Sequence, residues 1–193
     1  MYIRGMENAI ENLSRINRSA VPGAAAMALN RLGSAVTAQS ASQVSREVKI
    51  PRKFVRERMK LKKATPKNQS VRIVVNRGDF PVIKLGNARL RLSRRKRRRK
   101  GERSAEKGGG SVLVVGNRRI PGAFIQRLKN GRWHVMQREA GRNRYPIDVV
   151  KIPMQAPLTS GVQENITRLY RDKFPAELAA ALKQKIRMEV KKR

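Results

Sequence analysis

The apolar positions of this chain change period twice. Over residues 3–17, Ile3, Met6, Ile10, Leu13 and Ile16 recur at intervals of three and four, which lines one face of a helix. Glu11 precedes Arg15 by four, the favourable order for an exposed helical ion pair. Val21-Pro22-Gly23 predicts a break. Pro22 then falls in the first turn of a second helix, where its missing N–H costs nothing. That helix, "PGAAAMALNRLGSAVTAQSASQVSREV", is rich in Ala and Ser, small residues that let a neighbour approach closely. Met27, Leu29, Leu32, Val36 and Val44 form its apolar stripe, and Gly33 is a mild cost within it. Pro51 marks its end and opens a short third helix, "PRKFVRERMKL".

From about residue 70 the period becomes two. "VRIVV" (71–75), "FPVIKL" (80–85), "ARLRL" (88–92), "SVLVV" (111–115), "AFIQRL" (123–128), "WHVMQR" (133–138) and "YPIDVVKI" (145–152) read as strands separated by Gly- and Asn-containing turns. In "ARLRL", Leu90 and Leu92 are expected to face inward and Arg89 and Arg91 outward. "QRLKNGRWHV" predicts a hairpin closed by the two-residue turn Asn130-Gly131. Helical spacing returns over 157–171 through Leu158, Val162, Ile166 and Leu169. A last helix starts at Pro175 and carries Leu178, Leu182, Ile186 and Val190.

The order of elements predicts an α+β fold: N-terminal helices, a central antiparallel sheet and C-terminal helices. The 193 residues fit a single domain. Within it lie a helical region (1–66), a β region (70–153) that includes a basic arm (89–110), and the C-terminal helices (157–193). There is no internal repeat.

Charge changes this picture. The chain holds 46 Lys and Arg against 13 Asp and Glu, a net +33. Charge of that size repels itself in a compact fold unless a polyanion neutralises it. Nucleic acid is the commonest such partner; anionic membranes and acidic proteins are others. The densest run, Arg94, Arg95, Lys96, Arg97, Arg98, Arg99 and Lys100, sits between two strand-like segments instead of at an end. If 88–92 pairs with 111–115, residues 93–110 form a projecting hairpin tip, with Gly108, Gly109 and Gly110 as a swivel. Arg89, Arg91 and Arg103 add secondary positive charge beside the run. Without residues 89–103 the chain still holds 36 basic and 12 acidic side chains. Five of the seven consecutive charges are Arg, whose planar fork suits phosphate. If all seven met phosphates, log affinity would fall with log salt at a slope of roughly −6. Such contacts carry no base information. An acidic protein surface and a merely solvated loop are the competing readings of the same run.

Catalytic chemistry finds no support in the residue types. His134 is the only histidine and cysteine is absent, which excludes disulfides and thiolate or His-rich metal sites. The carboxylates are scattered. Glu7 and Glu11 suit a helix face, and Asp79 and Asp148 suit strand ends. "KGGGS" has its lysine before the glycines and is no phosphate loop. Trp133 and Tyr145 could stack on bases, but a lone Trp near a hairpin turn is more often a core or interface anchor. The apolar runs are too short to span a bilayer, and "MYIRGMENAIENLSRI" lacks the core of a secretory signal. The expectation is a non-enzymatic cytoplasmic product without cofactor or metal.

Four long stretches carry a specific resemblance: "NLSRINRSAVPGAAAMALNR", "VNRGDFPVIKLGNARLRLSRRKRRRKG", "KGGGSVLVVGNRRIPGAFIQRLKNGRWHVMQR" and "NRYPIDVVKIPM". Together they closely resemble the minor tail protein Z family of lambda-like phages and prophages, in order along essentially the whole chain. The resemblance implies a virion structural protein, not an enzyme. It implies action late in assembly at the head-proximal end of a long non-contractile tail, needed for infectious head–tail joining and placement of the genome end. It further implies other tail and head–tail junction proteins and phage genomic DNA as partners. Small neck and tail-completion proteins commonly form homo-oligomeric rings, often of six subunits. The competing reading is a general sequence-independent nucleic-acid-binding protein. A membrane-active basic protein is a weaker third, because the apolar helix faces are needed to cover the sheet.

Overall fold

Where the second predicted helix begins, the chain does not break. The computed structural model describes residues 10–11, 13–14, 16–91, 112–138 and 146–191. A π-helical turn, Ile16–Ala20, runs directly into α1, Val21–Val48. Ala20 keeps helical angles (φ −71°, ψ −43°), so the expected interruption at 21–23 is absent. Pro22 does lie in the first turn of α1, as predicted. It has no N–H to lose, so the turn before it can widen to π geometry without forfeiting a bond. Ile3, Met6 and Arg15 of the predicted first helix lie outside the described residues. Ile10 and Leu13 are exposed.

The stripe that α1 buries differs from the predicted one. Ala24, Ala28, Leu32, Val36, Ser40 and Val44, each four residues after the last, are all buried. This is one ridge of the helix surface. Met27 and Leu29 are only partly buried. Against the ridge runs α3, Gln155–Lys191, in the opposite direction. Ala181 packs on Ala24 and Ala28, with Leu178 and Leu182 beside them. Leu169 packs on Leu32 and Val36. At Gly161 the approach is tight: a Cβ there would stand 3.0 Å from Val44 Cγ2.

Two C-terminal helices were expected, and one is found. Pro175 lies inside α3 and does not end it. Phe174 belongs to both the Ala24 and the Leu32 clusters, so the turns on either side of Pro175 are held on the same partner helix. That packing outweighs the lost backbone bond. Ile166, Ile186 and Val190, predicted in the buried stripe, are exposed.

The predicted third helix is also shorter than its pattern. After Lys49, which caps α1 in left-handed geometry (φ 54°), α2 spans only Arg52–Arg56. Residues Met59–Lys62 form strand β1, paired antiparallel with β2, Arg72–Val75. Met59 is buried and Lys60 and Lys62 are exposed, a period of two that short helical spacing had concealed. Gly33 gains a reason here. A Cβ on it would come within 2.8 Å of Leu61 Cδ1 and of Val71 Cγ1. Asn30 fixes the same flank by bonding both backbone groups of Ala64 (Nδ2 to O 3.0 Å, N to Oδ1 2.7 Å). These elements make one compact unit, residues 1–77 with 156–193.

The second unit, residues 78–155, is a chain of short antiparallel strands. The single central sheet of the sequence reading is divided. β3 (Phe80–Pro81) pairs with β10 (Lys151–Ile152); β4 (Ala88–Arg91), β5 (Val112–Val115) and β6 (Arg118–Pro121) form a three-stranded sheet; β7 (Ala123–Arg127), β8 (Trp133–Arg138) and β9 (Ile147–Val149) form another. After β3 the chain turns into a 3₁₀ helix, Val82–Leu85, where an extended strand was expected. β6 was not predicted at all. The strand expected over 145–152 is interrupted at Val150, whose N–H bonds Val135 O (2.8 Å) and whose carbonyl accepts from Val82 N–H (3.2 Å). Phe80, Val82, Leu113, Val115, Ile120, Val135, Met136 and Ile152 are among the buried apolar residues of this unit. The α+β class holds, with four small antiparallel sheets among the described residues in place of one.

Candidate nucleic-acid interface

The pairing that the basic run requires is present. β4 and β5 are antiparallel neighbours with Ala88 opposite Val115 and Arg91 opposite Val112. The residues that flank 92–111 in the chain, Arg91 and Val112, therefore face each other on one sheet. β5 continues into β6 through Gly116-Asn117. Gly116 has φ 56°, and Asn117 is not among the positive-φ residues, the sign pattern of a type II′ hairpin turn. That turn anchors the register of β5, and with it the strand end from which the run departs. Arg94, Arg95, Lys96, Arg97, Arg98, Arg99, Lys100 and Arg103 lie outside the described residues.

Arg89 and Arg91 are described, and both are exposed on β4. Alternation puts them on the same face of the sheet as Val112 and Val114 of β5 and Arg119 of β6. Arg89, Val114 and Arg119 form one cross-strand row. With two inter-strand steps between them, the two arginine Cα atoms are about 10 Å apart. The opposite face carries the buried Leu113, Val115 and Ile120. One face thus anchors the sheet, and the other presents three exposed guanidinium groups. No acidic residue lies on β4, β5 or β6.

Leu90 corrects the sequence reading. It was expected to face inward, and its alternation with Arg89 and Arg91 is kept, but it is 60% exposed. It faces Leu113 from the outermost strand, where nothing beyond β4 in this sheet covers it. Arg119 is the site residue that the sequence reading missed. "GNRRIP" held the signal, since the Gly-Asn turn required a return strand after it.

The β7–β8 hairpin forms as predicted but closes differently. Gly131 N–H bonds Leu128 O (2.9 Å), and Leu128 N–H bonds Arg132 O (2.9 Å). Gly131 alone takes positive φ (76°), so Asn130 is not in the left-handed geometry a two-residue Asn-Gly turn demands. Asn130 Oδ1 instead accepts from Arg132 N–H (3.0 Å). The result is a turn followed by a left-handed glycine. Trp133, paired with Arg127 next to the turn of this hairpin, is 57% exposed, which removes the core reading for it. Tyr145 lies outside the described residues. His134 has its Nδ1 enclosed without a hydrogen-bond partner among the described residues, so no carboxylate orients it as a triad base. Among the described residues no helix is long and apolar enough to cross a membrane.

Known proteins bear on these surfaces. Residues 3–192 match the family described as Prophage minor tail protein Z (GPZ). The chain is 67% identical over 192 residues to the Tail completion protein Z of Escherichia phage lambda, covering 100% of both. It is 47% identical over 188 residues to the Tail completion protein of Escherichia phage N15, covering 97% of this chain and 98% of that protein. No solved structure matches it.

Proposed function

The chain belongs to the prophage minor tail protein Z family, and from that premise we propose that it completes a long non-contractile phage tail at its head-proximal end. In this reading it is a virion component that docks on other tail and head–tail junction proteins. It is required for infectious joining and for placement of the genome end. The relatives are named as tail completion proteins, which supports a scaffold role over an enzymatic one. Copies of the chain assemble around the tail axis, with six as the expected number.

The observation that carries the DNA part of the proposal is the β4–β5 ladder. Arg91 faces Val112, so the segment with seven consecutive cations is tethered at both ends to one small sheet. Arg94 to Lys100 grip phosphates of the genome end. Arg89, Arg91, Arg103 and the newly placed Arg119 extend the same cationic surface. Contacts of this type neutralise charge without reading bases, which suits holding one terminus of any packaged genome.

Deleting residues 94–100 tests this in assembled particles. Tails should still join heads, while the DNA end is misplaced and infectivity falls. In the purified protein the same deletion should flatten the salt dependence of duplex binding by roughly 6 log–log units. Loss of joining with the DNA end still in place would make the segment a protein-docking element instead.

A further inference from the structure

The helical unit contains a second cationic feature, separate in residues and in chemistry from the arm. Between the C-terminal half of α1, the start of α2 and the middle of α3 lies a cleft of about 670 Å³. Arg46, Arg52 and Arg168 line it, with Gln39, Gln43 and Glu164. In a chain of net +33, arginines alone would mean little. What distinguishes these is how they are held.

Asn165 and Ser40 are the buried polar side chains among the described residues, and both lie in the α1–α3 seam beneath this cleft. Asn165 is 2% exposed. Its Nδ2 donates to Gly161 O (2.6 Å) and Gln43 Oε1 (2.7 Å), and its Oδ1 accepts from Arg168 Nη2 (2.8 Å). The same Nη2 donates to Gln39 Oε1 (2.8 Å). Arg52 Nη2 donates to Ala38 O (3.1 Å). Two guanidinium groups are therefore positioned by neutral acceptors, which orient them without cancelling their charge. Arg46 has no partner among the described residues. The one carboxylate present, Glu164, accepts from Gln43 Nε2 (2.8 Å). No ion pair joins it to any of the three arginines among the described residues.

Burying an amide in a helix seam is costly unless it is fully bonded. Here the bonding is complete, and its outward end is a fixed cation. We infer that the cleft formed by Arg46, Arg52 and Arg168 is a docking site for a carboxylate-bearing segment of a partner protein. The recess favours this over DNA. Duplex phosphates lie on a convex rod with one charge per ~1.7 Å, and they require an extended cationic face. A projecting acidic side chain can enter between helices and meet a planar guanidinium fork two bonds at a time. That the partner is a virion protein rests on the tail-completion reading; the affinity of the cleft for carboxylate does not.

The test uses the full chain and a fluorescently labelled peptide with a short run of aspartates. The combined variant Arg46→Gln, Arg52→Gln, Arg168→Gln should bind this peptide at least about tenfold more weakly. It should bind a 20-base-pair duplex within about twofold of the parent, because the arm is intact. A control variant of equal charge, Lys60→Gln, Lys62→Gln, Arg72→Gln, alters exposed residues of the same unit outside the cleft and should keep peptide affinity within about twofold. Equal loss in both variants would show that net charge alone attracts the peptide and would overturn the proposal. Loss of duplex binding with peptide binding retained would make the cleft a phosphate site and overturn it as well. Should the triple variant fail to fold, Arg168→Lys keeps the charge and removes the fork. It should weaken the peptide about threefold or more, and an unchanged affinity counts against the site.

Discussion

At one end of the α1–α3 seam, Ala24, Ala28 and Ala181 meet with Leu178 and Leu182 around them. At the other, Ser40 and Gly161 meet with Asn165 above them. The same two helices use small residues at both ends of the seam. At the alanine end the contact is apolar and its interactions are packing and desolvation. At the glycine end the Gly161 carbonyl accepts from both Ser40 Oγ (3.1 Å) and Asn165 Nδ2 (2.6 Å). The difference separates stability from positioning. The alanine end needs nothing beyond shape, whereas the glycine end holds polar groups whose outermost member, Arg168, faces the cleft.

That contrast can be broken in graded steps. The apolar middle of the seam should respond most. Leu169→Ala removes a buried side chain packed on Leu32 and Val36 and should cost about 3 kcal/mol in urea unfolding. A loss below about 1 kcal/mol would mean that the seam repacks freely. Gly161→Val comes next, at about 2 kcal/mol, because its Cβ already meets Val44 Cγ2 at 3.0 Å. Asn165→Ala should cost about 1–2 kcal/mol by the same measurement, and it should also weaken acidic-peptide binding. No leucine-to-alanine change at the apolar end should show that second effect, and this separates the two ends most directly. The smallest effect has the opposite sign. Pro175→Ala restores a backbone donor inside α3 and should stabilise by about 1 kcal/mol, raising the thermal midpoint.

The same division explains what could be read from the sequence. Elements whose pattern is local were legible. The α1 span from Pro22 and the β7–β8 hairpin follow from spacing and turn residues, and the β4–β5 pairing, which the sequence offered only as a condition, is present. Elements that depend on a partner were misread. Pro175 looked like the start of a new helix because proline suits a first turn and not an interior, but here the helix around it is held by α1 from outside. Met59 to Leu61 looked helical because three residues cannot distinguish periods of two and 3.6 once an apolar helix precedes them. The long apolar residues Met27 and Leu29 drew the predicted stripe away from the alanines that form it. Of the proposed phosphate site, Arg89 and Arg91 were found as exposed strand residues, and Arg119 was missed with its strand. The cleft was invisible in advance, since Arg168 lies far along the chain from Arg46 and Arg52 and the three carry no motif.

By itself the sequence determined the α+β order, the family, the location of the densest charge within a strand connection and the absence of thiol chemistry. Those properties reside in composition, in identity and in neighbours a few residues apart. Tertiary structure alone decided which face of α1 is covered, that α3 is continuous, and which three of 46 cations converge on one recess. Such outcomes depend on which surfaces exclude water together, and that is a property of pairs of elements, not of any one stretch of chain.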